Sequence, residues 1–250
     1  MPVVPFIKIC GLRDQAEATL AWRAGATALG FLVGLTHLAA DAVDDAQAAR
    51  IVQQLPIEVE AVMVTHLTDA AEIARRGQNI GVRTIQVHGA LPVAGLGDLR
   101  RMLPAVRLIK AVHITGEAAL EDALSYASVT DALLLDSRTV DRLGGTGRTH
   151  DWSISRRIVA AVAPLPVYLA GGLTPDNVAI AVRSVRPAGV DVNSGVEDVA
   201  GRKDPRRVHD FVADARLALA ECTYGSSGEN SPPPHAGAGW GEGEGRGDIV

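Results

Sequence analysis

A chain of 250 residues with a formal charge of −5 lacks the cationic excess that binding to nucleic-acid phosphates requires, so no nucleic-acid partner is expected. Apolar residues make up 47% of the sequence but aromatics only 4%; the core must be built from Ala, Val, Leu and Ile, the filling of a parallel sheet covered by helices. The first apolar run follows Met1 without a cationic leader, no stretch is long enough to span a bilayer, and Cys10 and Cys222 lie too far apart in sequence to suggest a disulfide framework. These features point to a cytoplasmic protein with no membrane partner.

Strands are predicted over 6–10, 28–33, 59–64, 84–87, 108–112, 132–136, 167–170 and 189–192, each a short β-rich apolar run. Alanine-rich segments with helical spacing lie between them, among them 16–24, 46–55 and 178–185. Thr174-Pro175-Asp176 reads as a helix start, with Thr174 as the cap and Pro175 at the first helical position, where its missing N–H costs nothing. Eight alternating units of about 25 residues each predict an α/β chain folded as one (β/α)₈ TIM barrel. An open doubly wound sheet is the rival, but no GxGxxG follows the first strand. The barrel is assigned to residues 1–221. Residues 222–250 turn to Gly, Pro, Ser and Glu and offer little apolar area, Trp240 apart, so they are read as a disordered tail.

In such a barrel the reacting side chains sit at the C-terminal strand ends and in the loops just beyond. Those positions hold Cys10-Gly11, Gln86-Val87-His88-Gly89, Asp136-Ser137, Gly171-Gly172 and Asp191-Val192-Asn193-Ser194-Gly195. Taken singly, each has an ordinary structural reading. Cys10 would be a small buried hydrophobe, Asp136 a carboxylate holding a loop, His88 a hydrogen-bonded rim histidine, and the glycines tight turns.

Taken in order, the segments resemble the phosphoribosylanthranilate isomerase family of the tryptophan pathway. The series runs from Lys8-Ile9-Cys10-Gly11 through Leu29-Gly30-Phe31, Gln86-Val87-His88-Gly89, Leu135-Asp136-Ser137, Gly144-Gly145-Thr146-Gly147 and Ala170-Gly171-Gly172-Leu173-Thr174-Pro175 to Asp191-Val192-Asn193-Ser194-Gly195. The resemblance implies an Amadori rearrangement of an N-(5-phosphoribosyl)amine to an aminodeoxyribulose phosphate. It makes Cys10 the general base and Asp136 the general acid. A free thiol titrates near about 8.5, so Cys10 needs a cation or hydrogen bonds to act as thiolate, whereas burial should help Asp136 hold its proton. The resemblance further implies that Gln86, His88 and Asp191 line the substrate pocket, that Gly171, Gly172, Asn193, Ser194 and Gly195 hold the phosphate, and that the 144–147 loop covers the site. The partner is then a small phosphorylated sugar, the chain is a monomer or homodimer, and no cofactor enters. His66, His88 and His113 on adjacent strand ends lack a carboxylate set to complete a zinc site, so no metal is expected.

The resemblance breaks in the loop after the second strand. The family places there an arginine that binds the anthranilate carboxylate, but residues 34–45 contain no Arg or Lys. His66 and Asn193 also replace the family's usual residues. Three readings follow: the family's own reaction despite the altered loop, with His37 or a residue from elsewhere supplying the contact; a related isomerase for an amine without the carboxylate; or a barrel without turnover that serves as a binding protein.

Overall fold

The computed structural model describes residues 4–36, 39–137 and 151–224. Its strands are β1 (Phe6–Ile9), β2 (Ala28–Leu32), β3 (Glu60–Thr65), β4 (Thr84–Val87), β5 (Arg107–Ile114), β6 (Ala132–Ser137), β7 (Val167–Leu169) and β8 (Gly189–Val192). Each is followed by its helix: α1 (Gln15–Arg23), α2 (Asp45–Val52), α3 (Ala70–Ile80), α4 (Val93–Met102), α5 (Ala118–Ala127), α6 (Trp152–Ala161), α7 (Pro175–Val185) and α8 (Pro205–Tyr224). All ladders are parallel, and β1 pairs with β8 to close the barrel.

The two-residue alternation of a strand divides its side chains between two cores. Ile7, Ile9, Leu29, Phe31, Met63 and Ile85 belong to the layer between strands and helices. Phe6, Cys10, Ala28, Val62, Ile109, Leu134 and Tyr168 form the separate cluster inside the barrel. Toward the N-terminal strand ends that interior is plugged: Arg107 Nη1 donates to Glu60 Oε1 at 2.9 Å, Arg107 also bonds the Tyr168 hydroxyl, and Phe6 stacks on Tyr168 at 3.9 Å. Side chains on the same inner face but nearer the C-terminal ends are therefore the ones left to react.

Loop chemistry fixes the helix starts. Asp14, Asp44, Asp69 and Asp151 accept from the backbone N–H groups of Glu17, Gln47, Glu72 and Ser153 at 2.9, 2.7, 2.7 and 2.9 Å, each cap contributing about 1 kcal/mol. Thr174 and Pro175 begin α7 as their sequence predicts. Asn177 completes that junction, accepting from Thr174 N and donating to Gly172 O, both at 2.9 Å, so the loop after β7 is tied to its helix.

Two boundaries differ from the sequence expectation. β5 runs on to Ile114 because its pairing with β6 continues to Ser137, which sets His113 beside Asp136. α8 continues to Tyr224, three residues into the segment read as tail, and Cys222 packs against the helical layer. The remainder of the tail, Trp240 included, and the 144–147 loop lie outside the described residues. No helix among the described residues is long and apolar enough to cross a membrane.

Candidate active site

A cavity of about 580 Å³ opens at the C-terminal ends of the strands. It gathers Cys10, Gln86, His88, Asp136 and Asp191 together with the loop residues Gly171, Gly172, Asn193, Ser194 and Gly195, so every sequence-predicted site residue lines one space.

Cys10 extends β1 on its inner face, two residues beyond Lys8, and its N–H is fixed to Val192 O at 2.8 Å. Room for both side chains comes from Gly30 on β2: a Cβ there would stand 2.7 Å from Cys10 Sγ and 2.8 Å from Lys8 Cε. Burial pushes the Cys10 thiol up to about 11, against the opposing pull of Lys8 and Lys203 and with Asp191 and Asp41 adding to the rise. Near neutral pH Cys10 is thus a neutral thiol with an ammonium beside it. The thiolate that the sequence analysis requires is not the resting state, because desolvation outweighs the cations.

Lys8 shares the inner face of β1 with Cys10. It is fully buried, and its ammonium donates to Asp191 Oδ2 at 2.7 Å and to Gln86 Oε1 at 2.8 Å. Burial opposes its charge, but Asp191 and Cys10 outweigh that and hold its pKa above the ordinary lysine value. An ammonium only donates, so it fixes the orientation of the Gln86 amide. Gln86 Nε2 then points at His88 Nδ1, 3.2 Å away. That nitrogen accepts, the proton of a neutral His88 resides on Nε2, and Nε2 faces Asp136 Oδ2 at 3.3 Å. A polar chain, Asp191–Lys8–Gln86–His88–Asp136, runs from the thiol side of the cavity to its carboxylate side.

Asp136, 8% exposed, ends β6 where Gly171 makes space for it. Gly171 has φ +83°, and a Cβ there would lie 2.3 Å from Ser137 N and 2.7 Å from Asp136 Oδ1. His113, paired with Asp136 across β5 and β6 and edge-on to the His88 ring, has its pKa lowered to about 4 by burial and by His88. His88, His113 and Asp136 bring one ligand atom each within 4.8 Å of one another. Asp136 therefore supplies the carboxylate that the sequence seemed to lack, but the Gln86 amide keeps the nearest imidazole nitrogen protonated and donating. His88 meets Asp136 through its side chain and His113 Nε2 through its backbone carbonyl at 3.3 Å, while His113 Nδ1 is buried without a partner.

Asp191 gives Oδ2 to Lys8 and keeps Oδ1 buried without a partner, an acceptor available to a substrate hydroxyl. Asn193 differs from its expected use. Its Nδ2 donates to Asp41 Oδ2 at 2.8 Å and its Oδ1 accepts from Lys203 Nζ at 2.6 Å, so its side chain is spent within the protein. Of the acidic residues in the loop after β2, Asp44 caps α2 and Asp45 pairs with Arg76 at 2.6 Å; Asp41 faces the cavity. His37 lies outside the described residues.

The chain matches the family model described as N-(5'-phosphoribosyl)anthranilate (PRA) isomerase over residues 7–214. It is 41% identical over 212 residues to N-(5'-phosphoribosyl)anthranilate isomerase 2 of Methanosarcina mazei, covering 84% of this chain and 93% of that protein. The phosphoribosyl anthranilate isomerase of Thermotoga maritima superposes with a TM-score of 0.76 at 31% identity, over 86% of this chain and all of that one. A phosphoribosyl anthranilate isomerase solved in complex with reduced 1-(o-carboxyphenylamino)-1-deoxyribulose 5-phosphate gives a TM-score of 0.73 at 29% identity, over 86% of this chain and 100% of that chain.

Proposed function

The chain belongs to the N-(5'-phosphoribosyl)anthranilate isomerase family and is an Amadori-type isomerase of tryptophan biosynthesis; we propose that it performs this reaction with Cys10 as general base and Asp136 as general acid. The membership sets aside the carboxylate-free amine and the barrel without turnover. The observation that carries the residue assignment is the convergence of a buried thiol and a buried carboxylate, from β1 and β6, on one cavity.

Asp136 gives its proton to the ribose ring oxygen, the C1–O bond breaks, and an iminium forms between C1 and the anthranilate nitrogen. Cys10, once its thiol proton has been released to solvent, takes the proton from C2 as the thiolate, leaving an enolamine. The Cys10 thiol returns a proton at C1, the C2 hydroxyl gives its own to the Asp136 carboxylate, and the aminoketose phosphate results with both groups restored. The sequence relocates protons with no net electron exchange, so no redox cofactor is required. Lys8 stabilises the thiolate as it forms, which lowers the barrier only when charge develops on sulfur. His88 Nε2–H orients the Asp136 carboxylate, and Asp191 Oδ1 accepts from a ribose hydroxyl. The phosphate is held by backbone N–H groups of Gly171, Gly172, Ser194 and Gly195, with Asn193 shaping that loop through Lys203. We place the enzyme in the cytoplasm, as a monomer or homodimer with the phosphorylated sugar as its partner, and assign catalysis to the barrel of residues 1–221.

The test is the loss of phosphoribosylanthranilate fluorescence on adding the purified chain. Enzymatic decay with formation of the carboxyphenylamino-deoxyribulose phosphate is expected, at the same rate from a chain ended after Tyr224. An intact, folded protein that leaves the fluorescence unchanged would refute the reading.

A further inference from the structure

Anthranilate carries a carboxylate, and a carboxylate that leaves water for a partly apolar cavity needs a cation to replace that water. Among the described residues the cations at this cavity can be sorted by what they already bind. Lys8 is committed to Asp191 and Gln86. Lys203 is committed to Asn193 O, Asn193 Oδ1 and Glu197 at 3.1, 2.6 and 2.7 Å. Arg207 is exposed and turned onto Gly195 O at 3.0 Å, at the phosphate end.

Arg13 remains. It follows Cys10 by three residues, lines the cavity, and is mostly buried, with 18% of its side chain exposed. One side of its guanidinium is anchored, Nη2 binding Glu17 Oε1 at 3.3 Å and the Gly201 carbonyl. Its Nε is buried and has no hydrogen-bond partner. An unsatisfied donor on a buried cation is costly unless a ligand completes it. Asp41 faces the same part of the cavity, its carboxylate standing where a Cβ on Gly11 would lie 2.7 Å from Oδ2, so an anion admitted there needs a cation to offset it.

We infer that Arg13 is the receptor for the anthranilate carboxylate, a specificity-determining residue supplied by the loop after β1. The inference rests on the proposed reaction and extends it to the end of the substrate away from the phosphate. Glu17 and Gly201 hold the guanidinium in place through Nη2, and the unpartnered Nε–H receives a carboxylate oxygen.

The experiment compares kcat/KM for phosphoribosylanthranilate with kcat/KM for N-(5-phosphoribosyl)aniline, which lacks the carboxylate. In the wild-type protein the ratio favours the carboxylated substrate. Arg13→Gln is expected to lower that ratio by about 30-fold or more, chiefly through KM, as loss of a buried charged partner does. Arg13→Lys, which keeps the charge and loses the fork, is expected to give an intermediate ratio. A ratio unchanged from wild type in both variants overturns the inference, whether the two substrates slow together, as a purely structural Arg13 demands, or neither slows. Failure of the wild-type protein to turn over phosphoribosylanthranilate at all would instead strike the proposed reaction.

Discussion

Cys10→Ala is expected to lower kcat on phosphoribosylanthranilate by about 10²–10⁴-fold, and Asp136→Asn by a similar factor, because each removes a positioned proton-transfer partner. Neither change should unfold the barrel. Cys10 fills a small place beside Gly30 that alanine also fits, and Asp136→Asn keeps the shape that Gly171 accommodates. The check is kcat in parallel with the denaturation midpoint. A collapse of rate at unchanged midpoint supports the assignment, and a near-wild-type rate in either variant removes that residue from the mechanism.

Lys8→Met is expected to cost about 3–5 kcal/mol of stability, because it leaves the Asp191 carboxylate buried without its counter-ion. Turnover should fall as well. The thiol loses the cation that offsets its burial, and the Gln86 amide is freed to turn, which releases the His88 proton from Asp136. Stability and catalysis can be separated by adding Asp191→Leu. Replacing a buried ion pair by apolar groups is often near neutral, so the double variant should regain most of the lost midpoint. Its rate should stay low. Urea denaturation and steady-state kinetics on the same preparations distinguish a lysine that only holds the fold from one that also serves the thiol.

How much of this was legible in the sequence depends on the range of the interaction. The eight strands came from local periodicity, and Thr174-Pro175 gave the start of α7 unaided. Cys10 and Asp136 were found because strand ends in a barrel converge and the ordered motifs name them. Lys8 was within reach of the same reasoning: it shares the inner face with Cys10 by simple alternation, and a lysine there must find a counter-ion. What could not be read was which one. The Lys8–Asp191 contact spans 183 positions and the Asn193–Asp41 contact 152, and no local pattern encodes either. The acidic loop after β2 was legible as a missing arginine but not as three aspartates with separate tasks, two of them structural. Arg13 was hidden for the opposite reason, since beside Asp14 and Glu17 it reads as an ordinary charged residue opening a helix.

The C2-deuterium isotope effect on kcat/KM tests the central claim, that Cys10 takes the C2 proton, most directly. Replacing the base slows the C2 proton transfer and leaves the ring opening by Asp136 in place, whereas replacing the acid slows the ring opening. With phosphoribosylanthranilate deuterated at C2, the isotope effect on the residual rate should therefore be larger in Cys10→Ala than in Asp136→Asn. An isotope effect in Cys10→Ala equal to or smaller than that in Asp136→Asn contradicts Cys10 as the base.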